Sequence, residues 1–167
     1  TSRSVLLFEL ARNWVRTDER RGRARQAFEQ VVAWDASAWH IDSARGYLYE
    51  IEHLNIAQSA PSFRLKDIEG NWVDLDTCRG RVTILHFWST TCGPCAGSYP
   101  PLRKLAEDYH GEAVSLIGFS GDHNIEEARK KVQGERLIWP QICEGNGWKD
   151  TAFKLFNITG IPSAYVI

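Results

Sequence analysis

Apolar side chains recur at helical spacing through the first third of the chain, which predicts three amphipathic helices. The recurring positions are Leu7, Leu10, Ala11 and Trp14, then Ala24, Ala27, Phe28, Val31 and Val32, and finally Ile41, Ala44, Leu48 and Ile51. Residues 55–62 are largely polar and end in Pro61-Ser62, which is typical of a linker. We therefore predict an all-α segment over residues 1–56 and a second domain over residues 57–167.

Short apolar runs replace the helical spacing in the second domain. Glu69-Gly70-Asn71 lies between two such runs and predicts a β-hairpin, with a glycine available for a positive φ. Residues 83–88 and 114–119 have the composition of buried strands, and helical spacing follows each of them. Residues 137–143 predict a further short strand, and residues 149–156 a helix. Strands that alternate with helices predict an α/β fold with parallel core strands.

Residues 163–167 have strand composition but are followed by no turn or helix. We therefore expect the second domain to be truncated at its C-terminus.

Cys92 and Cys95 lie where the strand over residues 83–88 gives way to a helix. The pattern places Cys92 at the helix N-terminus and Cys95 inside the helix, with Pro94 tolerated in the first turn and Pro100 bending the helix. Lowering a thiol pKa from about 8.5 to about 7 requires roughly 2 kcal/mol in favour of the thiolate. A helix dipole contributes only about 0.3 to 1 kcal/mol, so backbone amides must donate hydrogen bonds to the Cys92 sulfur.

Composition and charge exclude several classes of function. The chain has 167 residues, a formal net charge of −1 and 43% hydrophobic residues, which is enough for a core and gives no signature of a nucleic-acid partner. No apolar run approaches the ~18 residues of a membrane span, so no membrane contact is expected from this chain itself.

Two further cysteines, Cys78 and Cys143, stand alone, whereas zinc ribbons use two close pairs. We therefore expect no metal site. Cys78 and Cys143 are interpreted as small buried thiols, and a disulfide between them stays open because the sequence does not give their separation.

Several motifs together resemble the TlpA/ResA-like redoxins, a branch of the thioredoxin-fold thiol-disulfide oxidoreductases. They are Ala60-Pro61-Ser62-Phe63, Phe87-Trp88, Cys92-Gly93-Pro94-Cys95, Pro100 and Gly160-Ile161-Pro162. The resemblance implies a thioredoxin-like fold, with a central mixed sheet flanked by helices, preceded here by the small all-α segment. That segment is similar to a tetratricopeptide-like unit at the end of a larger helical domain, and equally to a helical cap, because one copy shows no repeat period.

The resemblance also implies the chemistry. Cys92 would attack a protein disulfide and Cys95 would resolve the mixed disulfide, so that the Cys92–Cys95 pair is the redox group and no separate cofactor is needed. Gly93, Pro94 and a cis-proline segment at Ile161-Pro162 would contact the substrate. The partners would be a disulfide-containing protein and an unidentified thiol/disulfide electron donor. The location would be outside a bacterial cytoplasm, with a cytoplasmic one left open.

His86 departs from the family, which often has a buried acid at this position of the central strand. Strand alternation places His86 on the same face as Ile84 and Trp88, toward the layer under the active-site helix. We therefore predict that His86 is a third catalytic residue, which takes the proton of Cys95 during resolution. The alternative is a core histidine that only binds a backbone carbonyl.

Two other functions remain open at this stage. A peroxiredoxin shares the fold, but that resemblance requires a proline where this chain has Leu85, although Ser89 fits. A non-catalytic module is also possible, in which residues 1–56 bind a partner and the redoxin domain is a scaffold.

Overall fold

The computed structural model of the protein describes residues 3–15, 17–34, 37–56, 58–109 and 113–167. It divides into two compact units, Thr1–Pro61 and Ser62–Ile167. The division falls inside the polar stretch over residues 55–62.

Three helices form the first unit, α1 (Arg3–Trp14), α2 (Asp18–Ala33) and α3 (Ala38–His53). All three were predicted from the apolar spacing, and that prediction is confirmed. Their inward faces share one core, in which Phe8 packs edge-on against Phe28 at a ring-centroid distance of 5.8 Å. No described helix in either unit is both long enough and apolar enough to cross a membrane.

A two-stranded hairpin opens the second unit. Strands β1 (Arg64–Lys66) and β2 (Trp72–Asp74) pair antiparallel, as the sequence predicted. Gly70 in the connecting turn has a φ of +90°, a region that side chains other than glycine rarely adopt.

A four-stranded mixed sheet carries the rest of the second unit. It contains β3 (Val82–Trp88), β4 (Val114–Ser120), β5 (Gln141–Ile142) and β6 (Ser163–Val166), in the order β5-β4-β3-β6. The first three are parallel, and β6 runs antiparallel to β3. This arrangement confirms the predicted α/β class and the thioredoxin-like fold with a mixed central sheet.

Helices α4 (Tyr99–Asp108), α5 (Ile125–Gly134) and α6 (Thr151–Leu155) complete the unit. Alternate residues of β3 enter two different cores. Ile84 and Trp88 belong to a core that also holds residues of α4 and α5. Phe87, which points to the other face, stacks on Phe119 of β4 at 4.9 Å and meets α6.

One edge of this sheet positions the site. The carboxyl ends of parallel β3, β4 and β5 lie at the same edge, and antiparallel β6 begins there. The segments 89–95, 121–124, 143–150 and 160–162 therefore come together at this edge, where ligands of α/β proteins commonly bind.

Candidate active site

Cys92 and Cys95 form a disulfide at this edge, with their Cα atoms 5.3 Å apart. Cys92 is half-buried, whereas Cys95 is fully buried in the core under α4. The backbone amide of Cys95 donates a hydrogen bond to Sγ of Cys92 at 3.2 Å, which confirms the predicted amide contact. Such a bond favours the thiolate of Cys92 in the reduced protein, because an N–H donor binds a charged acceptor more strongly than a neutral one.

The segment after Cys92 differs from the expected α-helix. Pro94–Ser98 form a 3-10 helix, and α4 begins only at Tyr99, so Cys95 lies in the tighter turn that precedes the α-helix. Pro100 and Pro101 have no N–H, so neither donates to the carbonyl four residues earlier. A short 3-10 turn is common at the N-terminus of an α-helix, and here it precedes the two prolines. The bend at Pro100 stays a prediction.

Asp122 fixes the turn that leads from β3 to Cys92. Its carboxylate, which is 8% exposed, accepts the amide of Thr90 at 2.9 and 3.1 Å and the Thr90 hydroxyl at 2.7 Å. The Ser120 hydroxyl donates to the same carboxylate at 2.5 Å. The amide of Cys92 in turn donates to the carbonyl of Ser89 within the turn. Asp122 thus holds the backbone that presents the Cys92 sulfur.

Trp88 lies in the core against which the two cysteines pack. It is fully buried, and its indole Nε1 donates to Oε1 of Gln141 at 2.9 Å. Gly118 on β4 makes room for this contact, because a Cβ there would lie 2.0 Å from Gln141 Oε1.

His86 points into the core under the active-site helix, as the strand alternation predicted. It is 2% exposed, and its ring lies edge-on to Tyr99 at a centroid distance of 6.1 Å. Nε2 lies 2.9 Å from the hydroxyl of Ser98, so the ring contacts a side chain and not the backbone carbonyl that the alternative required. Burial lowers the pKa of His86 from 6.5 to about 4, so the ring is neutral near pH 7.

Three buried side-chain atoms in the described part of the chain have no hydrogen-bond partner, and they are His86 Nδ1, Tyr99 Oη and Trp139 Nε1. Tyr99 and Trp139 belong to the same core as Cys95. Burial raises the pKa of Tyr99 to about 12, with smaller contributions from the charges of Glu135 and Asp122. The core around Cys95 therefore holds neutral polar groups and no described ion pair.

The predicted substrate-contacting residues lie at the same edge of the sheet. The Ile161-Pro162 peptide bond is cis, and it leads directly into β6, where Ser163 is in register with Phe87 of β3. Ile161 is half-buried and, like Cys92, packs on the core of Trp88 and Cys95. Gly93 and Pro94 are exposed between the two cysteines.

The other two cysteines are free thiols. Cys143 is buried and donates to the carbonyl of Asp122 at 3.4 Å, and burial raises its pKa. Cys78 is only half-buried, in the 3-10 turn before β3, so the expectation of a buried thiol is wrong for it. Within the described ranges no cluster of three or more histidine, cysteine or acidic side chains could hold a metal ion.

Sequence reasoning missed three residues of this site. Asp122 could have been found, because a carboxylate in the loop that follows a parallel strand next to β3 lies at the same edge of the sheet as the Cys92 turn. Ser98 and Gln141 gave no such signal, since the contact of Ser98 depends on the 3-10 turn and that of Gln141 on the short strand β5.

Comparisons with known proteins agree with this geometry. The model of the AhpC/TSA family matches residues 56–167. The chain is similar to the thiol-disulfide oxidoreductase ResA of Bacillus anthracis, with 31% identity over 123 residues that cover 74% of this chain and 69% of the relative. ResA of Bacillus thuringiensis subsp. konkukian is 26% identical, again over 74% of this chain and 69% of the relative. A solved thiol-disulfide oxidoreductase from Bacteroides fragilis superposes with a TM-score of 0.61 at 25% identity, over 66% of this chain and 82% of that one.

These relatives carry thiol-disulfide oxidoreductase names, which favours that activity over the peroxidase and the non-catalytic scaffold. Leu85, where a peroxiredoxin would have proline, is fully buried within β3. The chain belongs to the AhpC/TSA family, as a ResA/TlpA-like thiol-disulfide oxidoreductase of thioredoxin fold.

Proposed function

We propose that the protein reduces disulfides in other proteins, with Cys92 as the nucleophile and Cys95 as the resolving thiol. The observation that carries this proposal is the asymmetry of the pair. Cys92 is half-exposed and its sulfur accepts an amide hydrogen bond, whereas Cys95 is buried behind it. A substrate sulfur therefore reaches Cys92 first.

The reaction balances without any further redox group. The Cys92 thiolate attacks one sulfur of the substrate disulfide, which forms a mixed disulfide and releases the other substrate sulfur as a thiolate. Cys95 then loses its proton and attacks Cys92, which releases the second substrate thiolate. The substrate gains two electrons, and the Cys92–Cys95 disulfide forms. A thiol/disulfide electron donor, whose identity is open, must later reduce that disulfide.

His86 is the proposed acceptor of the Cys95 proton. Its buried ring is neutral near pH 7, and Nδ1 has no hydrogen-bond partner. Transfer from an ordinary thiol to a base of pKa near 4 would be uphill by about 6 kcal/mol. That pKa belongs to the oxidised protein, however, in which Cys95 carries no charge. The ring contacts Tyr99, which shares a core with Cys95, and a thiolate forming in that core would raise the pKa of the imidazole and reduce the gap during the transfer.

Extended peptides are the proposed substrates, because the groups beside Cys92 that can contact a substrate are small side chains and backbone atoms. Gly93 and Pro94 present little side chain, and the Ile161-Pro162 segment adjoins the same edge. An extended substrate peptide bound along this edge would bring its disulfide to the Cys92 sulfur.

A location outside the bacterial cytoplasm is part of the proposal, and it is supported by the resemblance to TlpA/ResA-like redoxins. The test is an alkaline phosphatase fusion to the full-length natural protein, since that reporter is active only outside the cytoplasm. Activity of the fusion supports the location, and an inactive but intact fusion contradicts it.

Trapping tests the roles of the two cysteines. In a Cys95→Ala variant we expect mixed disulfides with substrate to accumulate through Cys92, because the resolving thiol is missing. In the reduced wild type, iodoacetamide near neutral pH should modify Cys92 before Cys95, Cys78 and Cys143. Faster labelling of Cys95, or trapping by Cys92→Ala and not by Cys95→Ala, would reverse the assignment.

A further inference from the structure

The hydroxyl of Ser98 lies between the active-site backbone and His86. Its oxygen is 2.6 Å from the carbonyl oxygen of Cys95 and 2.9 Å from Nε2 of His86. Both distances lie within the hydrogen-bonding range. The Cys95 carbonyl oxygen and His86 Nε2 are therefore both hydrogen-bond partners of the Ser98 hydroxyl.

A serine hydroxyl has one proton to donate, and a carbonyl oxygen only accepts. The bond to the Cys95 carbonyl consequently uses the Ser98 proton. The Ser98 oxygen must then accept from His86, which requires the imidazole proton to be on Nε2. In a neutral imidazole the other nitrogen, Nδ1, then holds the free lone pair.

The other ring nitrogen, Nδ1, is buried and has no hydrogen-bond partner in the described part of the chain, so no acceptor holds a proton on it. The residues in register with His86 on the two neighbouring strands are Gly118 and Ala164, which have no polar side chain. From α4, the titratable group that faces the ring is Tyr99, at a centroid distance of 6.1 Å.

We propose that Ser98 is a positioning residue that holds His86 in the Nε2–H tautomer and leaves Nδ1 as the basic nitrogen. Ser98 acts through His86 and contacts no reacting atom. Because the same hydroxyl binds the Cys95 carbonyl, it ties the imidazole to the backbone of the resolving cysteine. The catalytic consequence rests on the proposed role of His86 in resolution, whereas the tautomer itself does not.

Nitrogen-15 NMR of the histidine-labelled oxidised protein tests the tautomer directly. The chain has five histidines, and the His86 signals are assigned by their loss in a His86→Phe variant. We expect a protonated Nε2 and an unprotonated Nδ1 at pH 7. A protonated Nδ1 in the wild type overturns the proposal without any variant being needed.

Variants of Ser98 distinguish a role in positioning the His86 ring from a role in folding alone. Ser98→Ala should shift the His86 signals toward a tautomer mixture, and Ser98→Thr, which keeps the hydroxyl, should restore Nε2–H. Ser115→Ala, a serine on β4, is the control and should leave the His86 signals unchanged. Unchanged His86 signals in a folded Ser98→Ala variant contradict the proposal.

The rate of resolution distinguishes this proposal from the proposed function. With His86 as the base, Ser98→Ala should slow the attack of Cys95 on a preformed mixed disulfide about tenfold, a part of the 10²–10⁴-fold typical of general-base catalysis. A tautomer shift with an unchanged resolution rate would support the role of Ser98 and reject His86 as the proton acceptor.

Discussion

Exposure distinguishes the two cysteines of the site. Cys92 is half-buried at the end of the turn after β3, whereas Cys95 is the buried residue of the 3-10 helix that follows. The direction of His86 followed from strand alternation alone. Its contact with Ser98 did not, because the sequence pattern predicted an α-helix where the structure has a 3-10 helix.

The lowered pKa of His86 predicts a loss of stability in acid. An unfolded histidine binds a proton below pH 6.5, but the buried ring does so only near pH 4. Between these two pH values the unfolded state binds more protons than the folded state. The contribution of His86 to stability is therefore complete above pH 6.5 and falls as the pH is lowered toward 4. From pH 7 to pH 5 the loss is about 2 kcal/mol.

The measurement is urea unfolding of the oxidised protein at pH 7 and pH 5, with His86→Phe as the comparison. We expect the folded variant to lack this part of the acid destabilisation. An equal loss in both proteins would show that His86 does not titrate in this way.

Among the elements of the site, the contact between Trp88 of β3 and Gln141 of β5 depends on a glycine in β4, Gly118, which lies opposite His86. A Gly118→Ala side chain would collide with the amide of buried Gln141 and displace it from Trp88 Nε1. We expect a loss of about 2–4 kcal/mol of unfolding free energy, from strain and an unsatisfied buried indole. Gly134→Ala is the control, because nothing lies within 4 Å of a Cβ there. A cost below 0.5 kcal/mol for Gly118→Ala, on the order of a surface change, would contradict this packing.

The turn between β3 and the 3-10 helix depends on hydrogen bonds to Asp122. Asp122→Ala removes every acceptor for Thr90 and should lower the unfolding free energy by about 1–3 kcal/mol and slow disulfide reduction. Asp122→Asn keeps one carbonyl oxygen for Thr90 and should be milder in both urea unfolding and turnover. If Asn is as harmful as Ala, the charge of Asp122 and not its hydrogen bonding is what the turn requires.

The strands and helices themselves were largely predictable, because period and composition determine them locally. The lengths of β5 and α6 could not be predicted in this way. Residues 137–143 give only a two-residue strand, since just Gly118 and Phe119 of β4 are in register with it. Helix α6 is shorter than residues 149–156 because a separate 3-10 turn, Gly147–Lys149, takes up the beginning of that stretch.

For the whole molecule, each of the two units has a core of its own. We therefore expect a fragment of residues 58–167 to fold and to reduce disulfides at a rate within about twofold of the full chain, because it contains every residue of the site and its core. Circular dichroism and turnover check this. An unfolded fragment would show that the redox domain requires the helical unit.

Insulin-disulfide reduction driven by dithiothreitol, compared with peroxide consumption by the same preparation, shows whether this site reduces protein disulfides. We predict that the wild type accelerates insulin reduction, that Cys92→Ser abolishes the acceleration, and that Cys95→Ser greatly weakens it, with peroxide consumed no faster than by the thiol alone. Insulin reduction that is unaffected by the loss of Cys92, or rapid peroxide consumption that needs Cys92 but not Cys95, would contradict the assignment of this site as a protein disulfide reductase.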